Sequence, residues 1–470
     1  MHTKPDEQIW GLSAREQARL VRHRRISARE LMGAQLDRIA AVNPLLNAAV
    51  EVQAERALAE ADAADRELAA GALRGPLHGV PFSIKDSIEQ AGCRCTAGTW
   101  GRRHAPPSAA DATLVARLRR AGGIPVARTN LPDLLFAFES DNLVFGRTNN
   151  PYDLARTSGG SSGGEAALVA AGGSALGLGS DAAGSVRLPA AFCGIAALKP
   201  TSGRLPRTGH FPPAGGWLET VWQIGPMARR VEDLIEAMRV LAGPDGIDVT
   251  VPDVPYRDPQ QVEMAGLRVA VWTDNGTAAA DEEVATVVRL AGEALAGAVG
   301  SVEEARPACL EAAYDLEMKL IGPDGGDGLR GYLREIGSSE VHPLLTGWLD
   351  KLEPYRTDMA GFARYWAELD AYRAEMARFL GRFDAMICPA YIHPALPHGE
   401  STREENFRGF SHTMAFNVAG WPAAVVRCGT SRTGLPIAVQ VAAGPWREDV
   451  VLRVALWLEE AFGGWKPGPL

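Results

Sequence analysis

The chain has 470 residues, a net charge of −9, 46% hydrophobic residues and 22% charged ones, the composition of an ordinary globular protein with ample core. The acidic balance leaves no footprint for nucleic acid or an anionic membrane surface. The opening "MHTKPDEQIW" carries charges where a signal peptide needs its apolar run, and the uncharged stretch 166–180 is too short and glycine-rich to span a bilayer.

In chain order, apolar residues at helical spacing behind Ser27 predict a helix over 27–42, stopped by Asn43-Pro44. A second helix, rich in Ala and Glu, is expected over about 47–70. "GVPFSIKDSI" (79–88) reads as a strand, "ATLVARLRRAG" (112–122) as a helix ended by glycine, and "IPVART" (124–129) as the next strand. "EAALVAAG" (165–172) is a helix directly after a Gly/Ser run. "GLRVAVWTD" (266–274) and "DEEVATVVRLAGEALAGA" (281–298) form another strand–helix unit. Residues 310–375 look less regular, with "GPDGGDG" (322–328) as a loop. A helix over 362–380 sets Phe362, Tyr365, Trp366, Leu369, Tyr372, Met376 and Phe379 on one face, a core stripe. Strands at 383–390 and 434–443 and a helix at 448–462 close the chain. The alternation predicts an α/β layered fold, with no internal repeat and no linker that divides it.

Of the six cysteines only Cys93 and Cys95 are close, and CxC alone is no metal framework. They read as small buried hydrophobes in a reduced chain, so a cytoplasmic location is expected, with no cofactor and no metal.

The run "SGGSSGG" (158–164) admits four readings. Flanking apolar elements argue against a linker. A P-loop needs Lys and Ser or Thr after its last glycine, but Glu165 and Ala166 follow Gly164. A nucleophile elbow, G-x-S-x-G, matches at both Ser161 and Ser162, yet the preceding "NPYDLART" is no strand. The downstream histidines His210, His342, His393, His398 and His412 sit in no suggestive context. The fourth reading joins Lys85 in "GVPFSIKDSI", Ser161, and Ser185 in "SDAAGSVRLPAAFCG" into one catalytic set.

Here the chain resembles the amidase signature family. The motifs are "ELMGAQLDRIAAVNPLLNAAV" (30–50), "TNNPYDLARTSGGSSGG" (148–164), "GLGSDAAGSVRLPAAFCGIAALKPT" (177–201), "QIGPMAR" (223–229) and "TGLPIAVQVAA" (433–443). The resemblance implies one domain over 1–470, a large mixed sheet covered by helices on both sides. The signature region would lie at about 70–230, and an insertion at about 300–380 is a candidate lid. It implies a Ser–Ser–Lys triad: Ser185 as nucleophile, Lys85 as base and Ser161 as the hydroxyl between them. Burial would lower the Lys85 pKa by disfavouring the ammonium, and the same chain of groups run backwards would protonate the leaving amine. Taken alone, Lys85 reads as a lysine paired with Asp86, although neighbouring side chains of a strand point to opposite faces. The family also implies a cis peptide at Gly160–Ser161; a non-proline cis bond costs about 3 kcal/mol, and glycine reduces its crowding. Backbone N–H groups of Ala182, Ala183, Gly184 and Ser185 would form the oxyanion hole, with alanine at 183 where most relatives have glycine. Asp181 and Arg187 are expected to pair and hold this loop, and Ser162 to hydrogen-bond Lys85.

Leu135, Phe136 and Phe138 are expected on an apolar wall, with Trp217 and Trp222 nearby and the 310–375 insertion above. These favour a bulky apolar or aryl amide. Carbamates and aryl esters share the carbonyl geometry and remain an alternative, as do a Ser-His hydrolase and a non-catalytic binding protein of this fold. Some family members serve as the glutaminase component of a tRNA-dependent amidotransferase, but the "YDG" segment they carry is absent. The expected partner is a small-molecule amide or carbamate, without nucleic acid or membrane; a homodimer is left open.

Overall fold

The computed structural model describes residues 9–213 and 216–470, with all their side chains except that of Trp217. Eleven strands form one mixed sheet among the described residues. They are β1 (Ala49–Val52), β2 (Pro81–Lys85), β3 (Ile124–Thr129), β4 (Leu176–Asp181), β5 (Ala196–Lys199) and β6 (Gln223–Ala228). The later strands are β7 (Arg268–Val271), β8 (Ser301–Glu304), β9 (Ala385–Pro389), β10 (Ala423–Thr430) and β11 (Pro436–Ala443). Their order across the sheet is β1-β3-β2-β4-β6-β5-β10-β11-β9-β7-β8.

Every residue of β2, β3, β4, β5, β6, β9 and β11 is buried, so these strands are largely apolar on both faces rather than alternating. The polar residues they carry, among them Lys85, Arg128 and Asp181, are buried with partners. Helices cover both faces. One core packs Phe82, Ile84, Leu176 and Leu178 against helices that include Val231–Leu241 and Glu448–Phe462. The opposite core packs Val126, Ala197 and Val425 against Ala28–Leu46 and Gly163–Ala170. The edge strands β1 and β8 expose Glu51, Glu303 and Glu304, charges that discourage edge pairing with another chain.

The helix expected over 27–42 runs Ala28–Leu46, past the expected stop at Asn43. A capping box starts it: Ser27 Oγ accepts from Glu30 N, and Glu30 reaches back to Ser27 N. Pro44 removes one bond, to Ala40 on an exposed face, which a helix tolerates near its end. The chain turns instead at Asn47 in the left-handed region, where Asn43 Oδ1 accepts from Ala48 and Ala49 N–H. The expected helix over 47–70 is therefore two elements, β1 and the helix Ala54–Ala69. β-Branched Val50 and Val52 lie in the strand that pairs with β3, and that pairing overrides the local helix preference.

Residues 310–375 are more regular than expected, comprising helices Ala313–Ile321, Asp327–Glu335, Pro343–Leu352 and the start of Met359–Phe379. The "GPDGGDG" loop is only a tight turn between the first two, with Gly325 and Gly326 at positive φ. The stripe on Met359–Phe379 is core in part: Leu369, Tyr372 and Met376 are buried, while Phe362, Tyr365, Trp366 and Phe379 are half-buried. No described helix is long and apolar enough to cross a membrane.

Candidate active site

β2 and β4 are parallel neighbours with Ile84 opposite Leu178, so their C-terminal ends lie side by side. In α/β sheets that edge is where ligands bind. Lys85 ends β2 and Ser180-Asp181 end β4. The chain then crosses a short loop bearing Ser185 and enters the helix Arg187–Cys193. "SGGSSGG" runs past the same edge into the helix Gly163–Ala170. The Gly160–Ser161 peptide is cis, as expected. A side chain at Gly160 would come within 2.5 Å of Ala137 O and 2.6 Å of Glu139 N, so only glycine lets the segment pack here.

Lys85 is fully buried, and its Nζ lies 2.7 Å from Ser161 Oγ. Its other partners are Ser180 Oγ at 3.1 Å and Ser180 O at 3.4 Å. Burial pushes the Lys85 pKa well below the usual lysine value, against the pull of Asp181 and Glu165. The alternative partner Asp86 is taken by Arg128, with Nη2 at 2.8 Å, on the other side of the strand. Ser161 and Ser185 line the same cavity, and their segments are tied by Ser162 N–H donating to Ser185 O at 3.1 Å.

Asp181 and Arg187 pair in a bidentate arrangement, Nη2 to Oδ1 and Nε to Oδ2 both at 3.0 Å. The Asp181 carboxylate also accepts from Gly184 N–H at 2.7 Å, Val186 N–H at 3.1 Å and Asn417 Nδ2 at 2.9 Å. Although burial opposes it, this set of donors, led by Arg187, holds the carboxyl well below its usual range. The pair is the loop-holding device that was expected. It also corrects the expected oxyanion set, because the Gly184 N–H is already committed to Asp181. Among the described residues no acceptor faces the N–H groups of Ala182, Ala183 or Ser185. Gly184 has φ +124°, and a side chain there would collide with Thr413. Thr413 Oγ1 donates to Ala183 O at 2.8 Å and fixes the loop from above.

A second correction concerns Ser162. Its hydroxyl does not reach Lys85; it accepts from Ser180 N and donates to Ser180 O, both at 3.3 Å, and so holds the end of β4. The lysine's second hydroxyl partner is Ser180, which sequence reasoning missed, and behind it lies His210, with Nε2 3.0 Å from Ser180 Oγ. Strand alternation places Ser180 on the face opposite Asp181 and was a usable signal; His210 sits in a loop without any local pattern. The other histidines serve elsewhere. His342 caps the helix Pro343–Leu352, His393 meets Asp281, and His398 and His412 face backbone carbonyls. None of the five touches Ser161, Ser162 or Ser185, which deprives the elbow reading of its base.

The cavity above these residues has a volume of about 320 Å³. Leu135, Phe136 and Phe138 line it as expected, with Trp222 opposite; the Trp217 side chain lies outside the described residues. Phe138 stacks on Phe410 at 3.6 Å, and Trp348 meets Phe136 edge-on at 5.6 Å. Ile321 and Trp348, both from the 310–375 segment, complete the wall. Among the described residues, every lining side chain apart from Ser161, Ser180 and Ser185 is apolar or aromatic, and none is charged.

The Amidase family profile matches residues 30–452. The chain belongs to the amidase signature family. As a member of that family it is an amide hydrolase acting on C–N bonds. It is 34% identical to human fatty-acid amide hydrolase 2, over 97% of this chain and 90% of the relative. It is 36% identical to a glutamyl-tRNA(Gln) amidotransferase component from Roseiflexus sp. (strain RS-1), over 91% and 92%. Among solved structures, substrate-bound 6-aminohexanoate cyclic dimer hydrolase superimposes with a TM-score of 0.85 at 30% identity, covering 97% of this chain and 98% of that one.

Proposed function

We propose that this amidase cleaves amides with bulky apolar or aryl groups through an acyl-enzyme on Ser185. The observation that carries the reading is a buried Lys85 Nζ 2.7 Å from Ser161 Oγ, at the wall of an apolar cavity that Ser185 also lines. An uncharged amine at Lys85 takes the Ser161 proton while Ser161 takes that of Ser185, whose oxygen attacks the carbonyl carbon. The negative charge moves to the carbonyl oxygen, against the free N–H groups of Ala182, Ala183 and Ser185. Lys85, now an ammonium, returns the proton through Ser161 to the leaving nitrogen as the C–N bond breaks. Water then attacks the acyl ester by the same relay and frees Ser185.

The cavity also argues against the glutaminase role that some family members play. Free glutamine brings a charged ammonium and carboxylate, and an uncharged apolar wall has nothing to pair with either. A neutral acyl or aryl group gains about 25 cal/mol for each Å² it buries there.

Turnover against anilides, primary amides, carbamates and aryl esters, read by product mass, tests the substrate class. Anilides or long-chain amides should lead; preference for a carbamate would reassign the leaving group, and preference for glutamine would refute the apolar reading. Ser185→Ala and Lys85→Ala should each lower kcat by at least about a thousandfold with folding intact, the scale seen when a nucleophile or its base is removed. Full activity in either variant sinks the mechanism.

A further inference from the structure

We propose that His210 is a positioning residue that aims the lone pair of Lys85 at Ser161 by fixing the direction of the Ser180 hydroxyl. The inference rests on the triad reading above and deepens it. His210 Nδ1 lies 3.3 Å from Pro212 O. A carbonyl oxygen only accepts, so Nδ1 carries the imidazole proton and Nε2 is left with a lone pair. That single lone pair can only accept, and it faces Ser180 Oγ at 3.0 Å and Ser87 Oγ at 3.1 Å; the nearer hydroxyl, Ser180, donates to it, with Ser87 as the competing donor. Once the Ser180 proton points at His210, Ser180 Oγ can only accept from Lys85 Nζ at 3.1 Å.

The consequence falls on the base. A neutral lysine has two N–H bonds and one lone pair. Ser180 Oγ and Ser180 O absorb the two N–H bonds, and the lone pair is left for the shortest partner, Ser161 Oγ at 2.7 Å. If Nε2 carried a proton, it would donate to Ser180. The Ser180 proton would then swing onto the Lys85 lone pair and take the place Ser161 needs.

The ring is held for this task. Trp222 packs edge-on at 4.3 Å, and His210 is buried. Burial, helped by Lys85 when it is protonated and by the Arg207 guanidinium, pushes its pKa well below the ordinary histidine value against the opposing Pro212 carbonyl, and keeps the ring neutral. The other charged groups facing the cluster are Asp181 and Glu165, which act on Lys85.

Two measurements test the proposal on the intact chain. Nitrogen chemical shifts of the His210 imidazole in the wild-type protein, assigned by loss of the signal in His210→Gln, should show a protonated Nδ1 and a bare Nε2 from about pH 6 to pH 9. A protonated Nε2 overturns the proposal whatever the activity. In turnover of a para-nitroanilide, His210→Phe should lower kcat about tenfold, the scale of one neutral hydrogen bond, with KM unchanged. His210→Gln, whose amide oxygen can accept in place of Nε2, should recover most of that loss. In a Ser180→Ala background, His210→Phe should cost nothing further, because the hydroxyl it orients is gone; losses that multiply would show that His210 acts otherwise. Failure of the triad itself would appear separately, as activity surviving Lys85→Ala.

Discussion

Glu165, in the first turn of the helix Gly163–Ala170, is fully buried, yet it is a carboxyl and lies close enough to Lys85 to act on its charge. Ser83 and Thr129 donate to its two oxygens, the latter at 2.7 Å. Burial outweighs those bonds and pushes its pKa from 4.5 up to about 7. The neutral form is thus the one the fold prefers: stability from this group is full below pH 4.5 and is lost as pH rises through about 7. A shift of that size corresponds to a loss of about 3 kcal/mol. Glu165→Gln keeps an acceptor and the shape but never ionises. Urea unfolding of wild type and variant should therefore give equal stabilities near pH 4, with the variant gaining up to about 3 kcal/mol by pH 8. Asp233 and Glu459, also pushed to about 7, are present in both proteins and cancel. The variant should also move the acidic limb of kcat to lower pH, because an ionised Glu165 favours the Lys85 ammonium. A stability difference that does not change between those pH values would refute the argument.

Asp181→Asn leaves Arg187 buried without its carboxylate and should cost about 3–5 kcal/mol in urea unfolding, with turnover lost as the Gly184 loop is released. The wild type should lose this contribution as pH falls below about 4, because the folded Asp181 pKa is depressed and its stabilisation is present only above the unfolded value; the variant should lack that acid sensitivity. Trp348→Ala should cost about 3–5 kcal/mol and shift kcat/KM toward larger acyl groups by opening the wall against Phe136 and Phe138. Trp348→Phe removes an indole N–H that has no acceptor among the described residues and should retain more of the stability; an unchanged ratio of large to small substrates in Trp348→Ala would remove Trp348 from the specificity wall.

What could be read from the sequence divides along physical lines. The strands at 124–129 and 436–443 and the helix at 448–462 carry strong local patterns, and each lies within about a turn of its expected place. The strand β1 did not show, because "AVEV" is too short to declare itself and exists through its pairing with β3. Residues 310–352 hid three helices because each is short and glycine breaks the periodicity between them. Lys85, Ser161 and Ser185 were singled out through the resemblance of the signature motifs, and the structure sets Lys85 Nζ against Ser161 Oγ with Ser161 and Ser185 on one cavity. Ser162 was placed near the right strand but on the wrong atom: adjacency in sequence does not say whether a hydroxyl meets the lysine or the backbone beside it.

The same distinction explains why His210 was invisible. Acid–base chemistry leaves a mark in sequence when its groups lie within one motif, as Asp181, Ser185 and Arg187 do. The direction of a lone pair is set by whatever the neighbouring hydroxyl can donate to, and that acceptor can come from any distance along the chain. Here the acceptor is 125 residues after Lys85 (210 − 85) and 30 after Ser180. It enters from a loop whose place is fixed by the bridge between Ile88 and His210 and by Phe211 N–H donating to Ser87 O at 2.7 Å. A buried amine with two hydroxyl neighbours has two ways to arrange its protons, and only one leaves it a base for Ser161. Choosing between them takes a group that accepts without donating, which a buried, neutral histidine held at Nδ1 supplies and a charged one would not.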